Sequence, residues 1–202
     1  MICLLALAIA DPAVAATVRA TTGGIGPYGI PQGGVFYTAV PGEANRVTFR
    51  LVPGSRGMVE VRDTGARIDA GSRCTAVEPG FARCEAAAEF VDVTVDAGDG
   101  DDAITIEDPL YGLVVAGTGD DTVVGACQVS GDDGADHLVG CANPLGSLGH
   151  RYSGGLGDDL IEGGPAADSI DGGGGRDVMR GGDGGDDIDD GDGSTGAKLL
   201  PA

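Results

Sequence analysis

Residues 154–189 read GGLGDDLIE, GGPAADSID, GGGGRDVMR and GGDGGDDID, four consecutive units of nine residues. Each unit follows the pattern G-G-x-G-x-D-x-U-x, in which U is a large aliphatic residue. The sixth position forms an acid column of Asp159, Asp168, Asp177 and Asp186. The eighth position forms an aliphatic column of Ile161, Ile170, Met179 and Ile188. A repeat at fixed intervals indicates a solenoid whose units stack on one another.

The glycine-rich half of each unit brings many oxygen atoms together. Glycine at the first, second and fourth positions lets the backbone enter conformations closed to other residues, so carbonyl oxygens approach one another. The aspartate adds a carboxylate oxygen, and calcium takes about 6–8 oxygen ligands in tolerant geometry. One turn provides too few ligands, so we expect each ion to lie between two stacked turns. The glycines expected to bind calcium are Gly154, Gly155, Gly157, Gly163, Gly164, Gly172, Gly173, Gly175, Gly181, Gly182 and Gly184.

The last three residues of each unit, x-U-x, predict a short strand that points one aliphatic side chain inward. Two units make one coil, so loops that are two units apart stack on the same edge. We therefore expect the loops at Gly154 and Gly172 to share one edge of the solenoid. The loops at Gly163 and Gly181 are expected to share the other edge.

A weaker form of the repeat precedes residue 154. It reads AGDGDDAIT (97–105), AGTGDDTVV (116–124) and GDDGADHLV (131–139). These units extend the acid column to Asp102, Asp121 and Asp136 and the aliphatic column to Ile104, Val123 and Leu138. Their spacing is irregular, which predicts irregular coils before the regular ones.

The chain begins with an apolar stretch, MICLLALAIADPAVAA, which resembles a secretory signal peptide. Ala13 and Ala15 offer a cleavage site, and the missing basic region leads us to expect a true start further upstream. The apolar run is shorter than the about 20 residues that cross a bilayer, so no membrane span is predicted. A buried first strand is the alternative interpretation.

Residues 17–95 alternate apolar and polar residues with a period of two, which predicts a small antiparallel β domain. The predicted strands are VFYTAV (35–40), RVTFRLV (46–52), MVEVRD (58–63), ARIDA (66–70) and FVDVTVDA (90–97). Turn residues separate them, and no helical period is present. The glycine-rich segment 23–34 is expected to be a loop before the first hairpin.

Together these patterns predict an all-β chain. A small N-terminal antiparallel β domain is followed by a right-handed parallel β-roll or β-helix solenoid. The predicted segments are a signal peptide (1–16), the N-terminal β domain (17–95), degenerate repeats (96–153), regular repeats (154–193) and a C-terminal tail (194–202).

Cysteine positions predict disulfides. The cysteines that remain after the signal peptide are Cys74, Cys84, Cys127 and Cys141. Paired by proximity along the chain they form Cys74–Cys84 and Cys127–Cys141, although three connectivities are open from the sequence alone. A zinc site is the alternative, but no C-x-x-C spacing occurs, and His137 and His150 are isolated in the sequence. Disulfides fit a secreted protein.

Negative charge is concentrated in the repeats. Residues 96–193 contain 23 of the 32 acidic residues and three arginines, a net charge of −20, and the rest of the chain is neutral. Such an excess suits a cation site, and it argues against nucleic acid or an anionic membrane as a partner. A disordered acidic tail is the alternative, but such a tail would lack a fixed aliphatic column.

These residues resemble the hemolysin-type (RTX) calcium-binding repeat family. The four nonapeptides and the three degenerate copies carry the resemblance over about half of the chain. The junction VTVDAGDGDDAITI (93–106) is also similar to secreted bacterial proteins in which a small β domain runs into the repeats. The resemblance implies a β-roll in which several calcium ions are held by acid-column aspartates and glycine-turn carbonyls. The sequence departs from the family pattern at Ala166 and Thr195.

The sequence thus predicts a secreted, extracellular calcium-binding protein with a structural or interaction role and no catalytic activity. The alternatives are a secreted hydrolase or an adhesin in which the repeats are an accessory folding module. Neither H-E-x-x-H nor G-x-S-x-G occurs, and acid pairs such as Asp101–Asp102 fall in the repeat columns. The sequence identifies no protein or cell-surface ligand.

Overall fold

The computed structural model describes residues 15–25, 31–88, 90–107, 109–142, 150–191 and 198–200. All regular secondary structure in these ranges is β-strand, which confirms the all-β prediction. In the described part of the chain, no helix has the length and apolar character needed to cross a membrane.

The described residues form nineteen strands, which follow one another in chain order. They are β1 (Ala16–Ile25), β2 (Pro31–Thr38), β3 (Arg46–Leu51), β4 (Met58–Asp63), β5 (Ile68–Ala70), β6 (Cys74–Glu78), β7 (Phe81–Glu85), β8 (Phe90–Asp96), β9 (Ala103–Ile106), β10 (Tyr111–Thr118), β11 (Thr122–Ala126), β12 (Gln128–Asp133), β13 (His137–Gly140), β14 (His150–Leu156), β15 (Leu160–Glu162), β16 (Asp168–Gly174), β17 (Val178–Arg180), β18 (Asp187–Asp189) and β19 (Lys198–Leu200).

The strands form two sheets. The first sheet has the order β18-β16-β14-β12-β10-β8-β2-β1-β5, and the second has the order β19-β17-β15-β13-β11-β9-β3-β4-β7-β6. From β8 onward each strand pairs in parallel with the strand two positions further along the chain. The chain therefore passes from one sheet to the other at every loop, which is a parallel β-solenoid.

The regular repeats form coils of 18 residues, as predicted. Gly155 pairs with Gly173 in the first sheet, and Ile161 pairs with Met179 in the second. We call the edge with loops at residues 97–102, 116–121, 131–136, 154–159 and 172–177 the first edge. We call the opposite edge, with loops at residues 163–168 and 181–186, the second edge.

The degenerate coils differ in length. Leu113 pairs with Gln128, and Gln128 pairs with Arg151, so the successive coils advance by 15 and 23 residues. The irregular spacing of the repeats therefore changes the size of the second-edge loops and leaves the stacking of the strands intact.

The solenoid begins earlier than the sequence predicts. β2 and β3 pair in parallel with β8 and β9, so residues 31–51 form a coil of the solenoid. The antiparallel strands β4, β7 and β6 continue the second sheet, and β1 continues the first. Both sheets run across the predicted boundary at residue 95. Alternation with a period of two is common to parallel and antiparallel strands, so it could not reveal this pairing.

The predicted strands of the N-terminal region are present as β2, β3, β4, β5 and β8. The sequence did not predict β1, β6 and β7, and strand structure extends into the expected loop 23–34 from both sides. Of the predicted signal peptide, only Ala15 and Ala16 lie within the described residues, and Ala16 starts β1.

The C-terminal tail also departs from the prediction. β19 pairs in parallel with β17, with Leu199 opposite Met179, so the second sheet continues past residue 193. Thr195 lies outside the described residues.

The aliphatic column fills the space between the sheets. Its buried members are Ile104, Val123, Leu138, Ile161, Ile170 and Met179. Ile188, near the C-terminal end, packs against this core and is partly buried. Tyr37 and Phe49 add an edge-to-face aromatic pair to the N-terminal part of the core, with ring centroids 6.0 Å apart.

Both predicted disulfides are present. Cys74 and Cys84 join the adjacent strands β6 and β7, with Cα atoms 4.0 Å apart. Cys127 directly precedes β12 and Cys141 directly follows β13, and their Cα atoms are 5.0 Å apart. Each bridge closes a short segment, as the spacing of the cysteines predicts.

Candidate metal centre

The acid column of the first edge is a ladder of buried aspartates. Its members, each 1–2% exposed, are Asp102, Asp121, Asp136, Asp159 and Asp177. From Asp121 onward, Oδ1 of each accepts a hydrogen bond of 2.8–3.0 Å from the backbone N–H of the ladder residue in the preceding coil. Because one oxygen is fixed in this way, the direction of the other oxygen is fixed as well.

The second oxygen, Oδ2, of every ladder aspartate is buried, and no group among the described residues donates a hydrogen bond to it. A Cβ on Gly154 would collide with Oδ2 of Asp159 and with the carbonyl oxygen of Gly172 in the next coil. At Gly131 the equivalent oxygens are Oδ2 of Asp136 and the carbonyl oxygen of Gly154. Carboxylate and carbonyl oxygens thus converge between stacked turns. Buried oxygens are costly unless a proton or a cation joins them.

The fourth-position glycines of this edge are required by the backbone. They have φ values from +102° to +150° and are Gly100, Gly119, Gly134, Gly157 and Gly175. A Cβ on Gly157 would also collide with the carbonyl oxygen of Gly134 in the preceding coil. Among the glycines predicted to bind calcium, those with positive φ are Gly155, Gly157, Gly173, Gly175, Gly182 and Gly184. These turns stack more closely than any side chain would permit.

The first position of the repeat separates two kinds of coil on the first edge. It is glycine at Gly131, Gly154 and Gly172, and alanine at Ala97 and Ala116. Both alanines are fully buried, and each carries a methyl group where the glycines have none. The coils from residue 131 onward therefore have more room for an ion.

The acid-column residues of the second edge have other partners than those of the first. Oδ2 of Asp168 accepts a hydrogen bond of 2.7 Å from the backbone N–H of Gly164, and its Oδ1 lies 3.1 Å from Nδ1 of His150. Asp186 accepts a hydrogen bond of 3.1 Å from the N–H of Asp168 and is partly exposed. Ala166, at the fourth position, has no positive φ. Among the described acid-column residues, Oδ1 of Asp168 is the buried oxygen of this edge that receives no hydrogen bond, whereas every aspartate of the first-edge ladder has such an oxygen.

Glycines of the second edge nevertheless stack as predicted. A Cβ on Gly163 would collide with Oδ2 of Asp168 and with the carbonyl oxygen of Gly181. A Cβ on Gly182 would collide with the carbonyl oxygen of Gly164. The predicted loops therefore lie one above another, and the two edges differ in the partners of their acids.

Aspartates beside the acid column connect the turns at the surface. Oδ1 of Asp101 accepts the N–H of Asp120, and Oδ1 of Asp120 accepts the N–H of Ala135. Asp158 accepts hydrogen bonds from the side chain and backbone of Arg176, which lower the pKa of Asp158. The acid pairs of the sequence therefore divide into an inner ladder and an outer row.

The ladder extends one coil further toward the N-terminus than the repeat pattern indicates. Asn45 is fully buried, and its N–H donates to Oδ1 of Asp102 at 2.6 Å. Its side-chain amide donates to Asp63 at 3.1 Å, and Asp63 also accepts the hydroxyl of Tyr37. A neutral amide thus ends the row of acids. Only Asn45 and Val47 fit the repeat in that coil, which is too little for recognition from the sequence.

Burial raises the pKa of four ladder carboxyls, those of Asp102, Asp121, Asp136 and Asp159. Desolvation raises the pKa of Asp102 to about 7 and those of Asp121 and Asp159 to about 6. It raises the pKa of Asp136 as well. The backbone hydrogen bonds of the ladder oppose this effect without cancelling it. The folded chain therefore favours a proton or a cation on these groups.

In a calcium chelator, the free energy of unfolding should fall as the pH rises from about 5 to about 7. Aspartates of the unfolded chain titrate near pH 4, at about 3.9. Folding raises the pKa of these carboxyls, so their protonated form stabilises the folded chain. This stabilisation is complete below the pKa of the unfolded chain, and it is lost as the pH rises through the folded pKa values of about 6 to 7. Urea unfolding at several pH values measures this. Asp102→Asn should flatten the fall, and a chelated protein that gains stability over this range would contradict the expectation.

The candidate centre thus lies between the first-edge loops that begin with glycine. Its acids are Asp136, Asp159 and Asp177, and its carbonyl oxygens include those of Gly154 and Gly172. No protein-family model matches the chain, and neither a curated protein nor a solved structure is significantly similar to it.

Proposed function

We propose that this chain is a secreted calcium-binding repeat protein in which Ca²⁺ lies between the stacked glycine-rich turns of the first edge. The observation that carries this proposal is the row of buried Oδ2 atoms that receive no hydrogen bond from the described residues. The acid column and glycine columns of the hemolysin-type repeat agree with it. The loops at Gly131, Gly154 and Gly172 are the preferred sites, because they lack the methyl groups of Ala97 and Ala116.

The mixture of ligands favours calcium over other common metals. Within the described ranges, no three carboxylates come within 4.8 Å of one another, so carbonyl oxygens must complete the shell of any ion held here. Ca²⁺ accepts carboxylate and carbonyl oxygens in flexible numbers, whereas Mg²⁺ requires near-octahedral geometry and retains water. Zn²⁺ prefers nitrogen and sulfur ligands, which the first edge lacks among its ladder residues.

Calcium binding is expected to be coupled to folding of the solenoid. Each nonapeptide buries one large aliphatic side chain, which contributes about 1.5–3 kcal/mol. Ordering the backbone costs about 1–2 kcal/mol for each residue, so a nonapeptide needs further stabilisation. An ion that binds only the folded turns supplies it, since its binding free energy adds to the stability of the fold.

Secretion and a non-catalytic role are part of the same proposal. The signal-like segment 1–16 supports export, and two disulfides fit an oxidising compartment. We further propose a right-handed β-roll of the hemolysin type, which the antiparallel N-terminal strands extend. The exposed faces of such a solenoid suit a structural or interaction role.

Titration calorimetry of the chelator-treated chain tests the proposal. Calcium should bind in several equivalents with dissociation constants no weaker than the about 10⁻⁴–10⁻³ M of extracellular modules. Magnesium at the same concentrations should give a much smaller signal. The absence of calcium binding up to about 10 mM, ten times the weak end of that range, would overturn the proposal.

A further inference from the structure

Two cysteines and a histidine that are distant in sequence meet inside the second edge. Cys127 and His150 occupy equivalent positions in successive coils, because Gln128 pairs with Arg151. Cys141 reaches the same place from the end of β13. The three residues are at most 2% exposed, and their sulfur and nitrogen atoms lie within 4.8 Å of one another. Among the described residues, no other three cysteine, histidine or acidic side chains gather so closely.

His150 is held between a sulfur atom and a carboxylate. Its Nε2 lies 3.5 Å from Sγ of Cys141, and its Nδ1 lies 3.1 Å from Oδ1 of Asp168. The side chains of His150 and Asp168 are 1% and 0% exposed. Oδ1 of Asp168 is buried and receives no hydrogen bond, and Nδ1 of His150 lies beside it. In metal-binding histidines a carboxylate beside one ring nitrogen orients the ring and leaves the other nitrogen to bind the metal.

A surface cavity borders this group at His150. It has a volume of about 370 Å³ and is lined by His150, Arg151, Asp168 and Ser169, among others. The cavity therefore reaches His150, the residue of the group that lies nearest to solvent, while Cys127 and Cys141 are fully buried behind it.

We propose that the reduced chain binds one Zn²⁺ through Sγ of Cys127, Sγ of Cys141 and Nε2 of His150, with Asp168 as a positioning residue. Zn²⁺ is typically four-coordinate with sulfur and nitrogen ligands, and a water molecule takes the fourth place. Soft thiolates select zinc over calcium, so this site is chemically distinct from the acid ladder and independent of the calcium proposal.

The zinc site and the Cys127–Cys141 disulfide exclude each other. Two molecules of a thiol reductant convert the disulfide into two protein thiols and become one disulfide themselves. Zn²⁺ then binds both sulfurs as thiolates, and two protons are released. A small-molecule disulfide reverses the step: it accepts two electrons from the thiolates and two protons from water, leaves as two thiols, and the re-formed protein disulfide releases the ion. The redox state of the pair therefore determines whether the site exists.

Zinc titration of the full chain in its two redox states tests this inference. With millimolar calcium present to occupy the carboxylates, the phosphine-reduced chain should bind one equivalent of Zn²⁺ in competition with a chromophoric chelator. The oxidised chain should bind at least about 100-fold more weakly, because it offers a single imidazole. Co²⁺ added to the reduced chain should give the thiolate charge-transfer band of a tetrahedral site. A reduced chain that binds no more zinc than the oxidised chain overturns the inference.

Variants assign the ligands. His150→Ala should weaken zinc binding at least about 100-fold, and Asp168→Asn should weaken it by about 10–100-fold. His137→Ala, which alters a half-exposed histidine outside this group, should leave zinc binding unchanged. His150→Cys adds a third thiolate, so it should still bind zinc and should give a stronger charge-transfer band with Co²⁺. This variant tests the assignment even if His150→Ala does not fold. Equal zinc affinities of the His150→Ala and His137→Ala chains would overturn the assignment.

Discussion

Replacing Gly157 by alanine should destabilise the solenoid by on the order of 2–6 kcal/mol. Gly157 has φ +133°, a conformation that costs other residues about 1–3 kcal/mol. The new Cβ would also collide with the carbonyl oxygen of Gly134, and overpacking of this kind costs about 1–3 kcal/mol. Neither strain can be relieved by a side-chain rotation, because both partners are backbone. Urea unfolding in saturating calcium measures the loss.

Gly185→Ala is the matched control. Gly185 lies in the loop of the fourth regular repeat, it has no positive φ, and a Cβ there meets nothing within 4 Å. The two substitutions are chemically identical, so a difference between them reports the turn geometry alone. Similar stabilities of the two variants would show that the fourth-position glycine is dispensable.

The repeat region was predictable because its pattern is local. Asp159 and Asp177 are separated by the length of one coil, so their spacing predicts which loops stack. The same interval places Ile161 beside Met179 in the core, as the structure confirms. The repeat pattern could not reveal which carboxylate oxygen accepts a hydrogen bond, because the N–H that donates to Oδ1 of each acid belongs to another coil.

The N-terminal coil was not predictable, because its partner strands are far away along the chain. Residues 31–51 pair with β8 and β9 only after the chain has passed through β4–β7. Asn45 continues the acid ladder without an acid and without the flanking glycines. A pattern that is read along the sequence detects neither relation, because both depend on which strands meet in space.

His150 shows the same limit for a site. In the sequence it is an isolated histidine, nine residues from Cys141 and 23 from Cys127. Irregular coils of 15 and 23 residues bring it to the position that Asp168 occupies in the following coil. The irregular spacing was visible in the sequence, but its effect on the second edge required the register of the strands.

Asp159→Asn should change the stability of the solenoid in opposite directions with and without calcium. The asparagine retains an oxygen that can accept the N–H of Asp136, now at 2.8 Å from Oδ1, so the ladder bond is preserved. In chelator at pH 7 the neutral amide removes the cost of a buried charge whose pKa burial raises to about 6, so stability should increase. In calcium the variant loses a direct ligand, and the calcium midpoint of folding should rise about tenfold or more, which corresponds to at least about 1.4 kcal/mol.

Asp187→Asn is the control with the same change of charge. Asp187 follows the acid column in the fourth repeat, and its side chain is exposed on β18. Asp171 is less suitable because one of its carboxylate oxygens is buried. If calcium associates with the acids only as non-specific counterions, removal of either charge should weaken calcium binding to a similar and small extent. If calcium occupies sites between stacked turns, only Asp159→Asn should shift the calcium midpoint, and only this variant should be more stable than the unmodified chain when calcium is withdrawn.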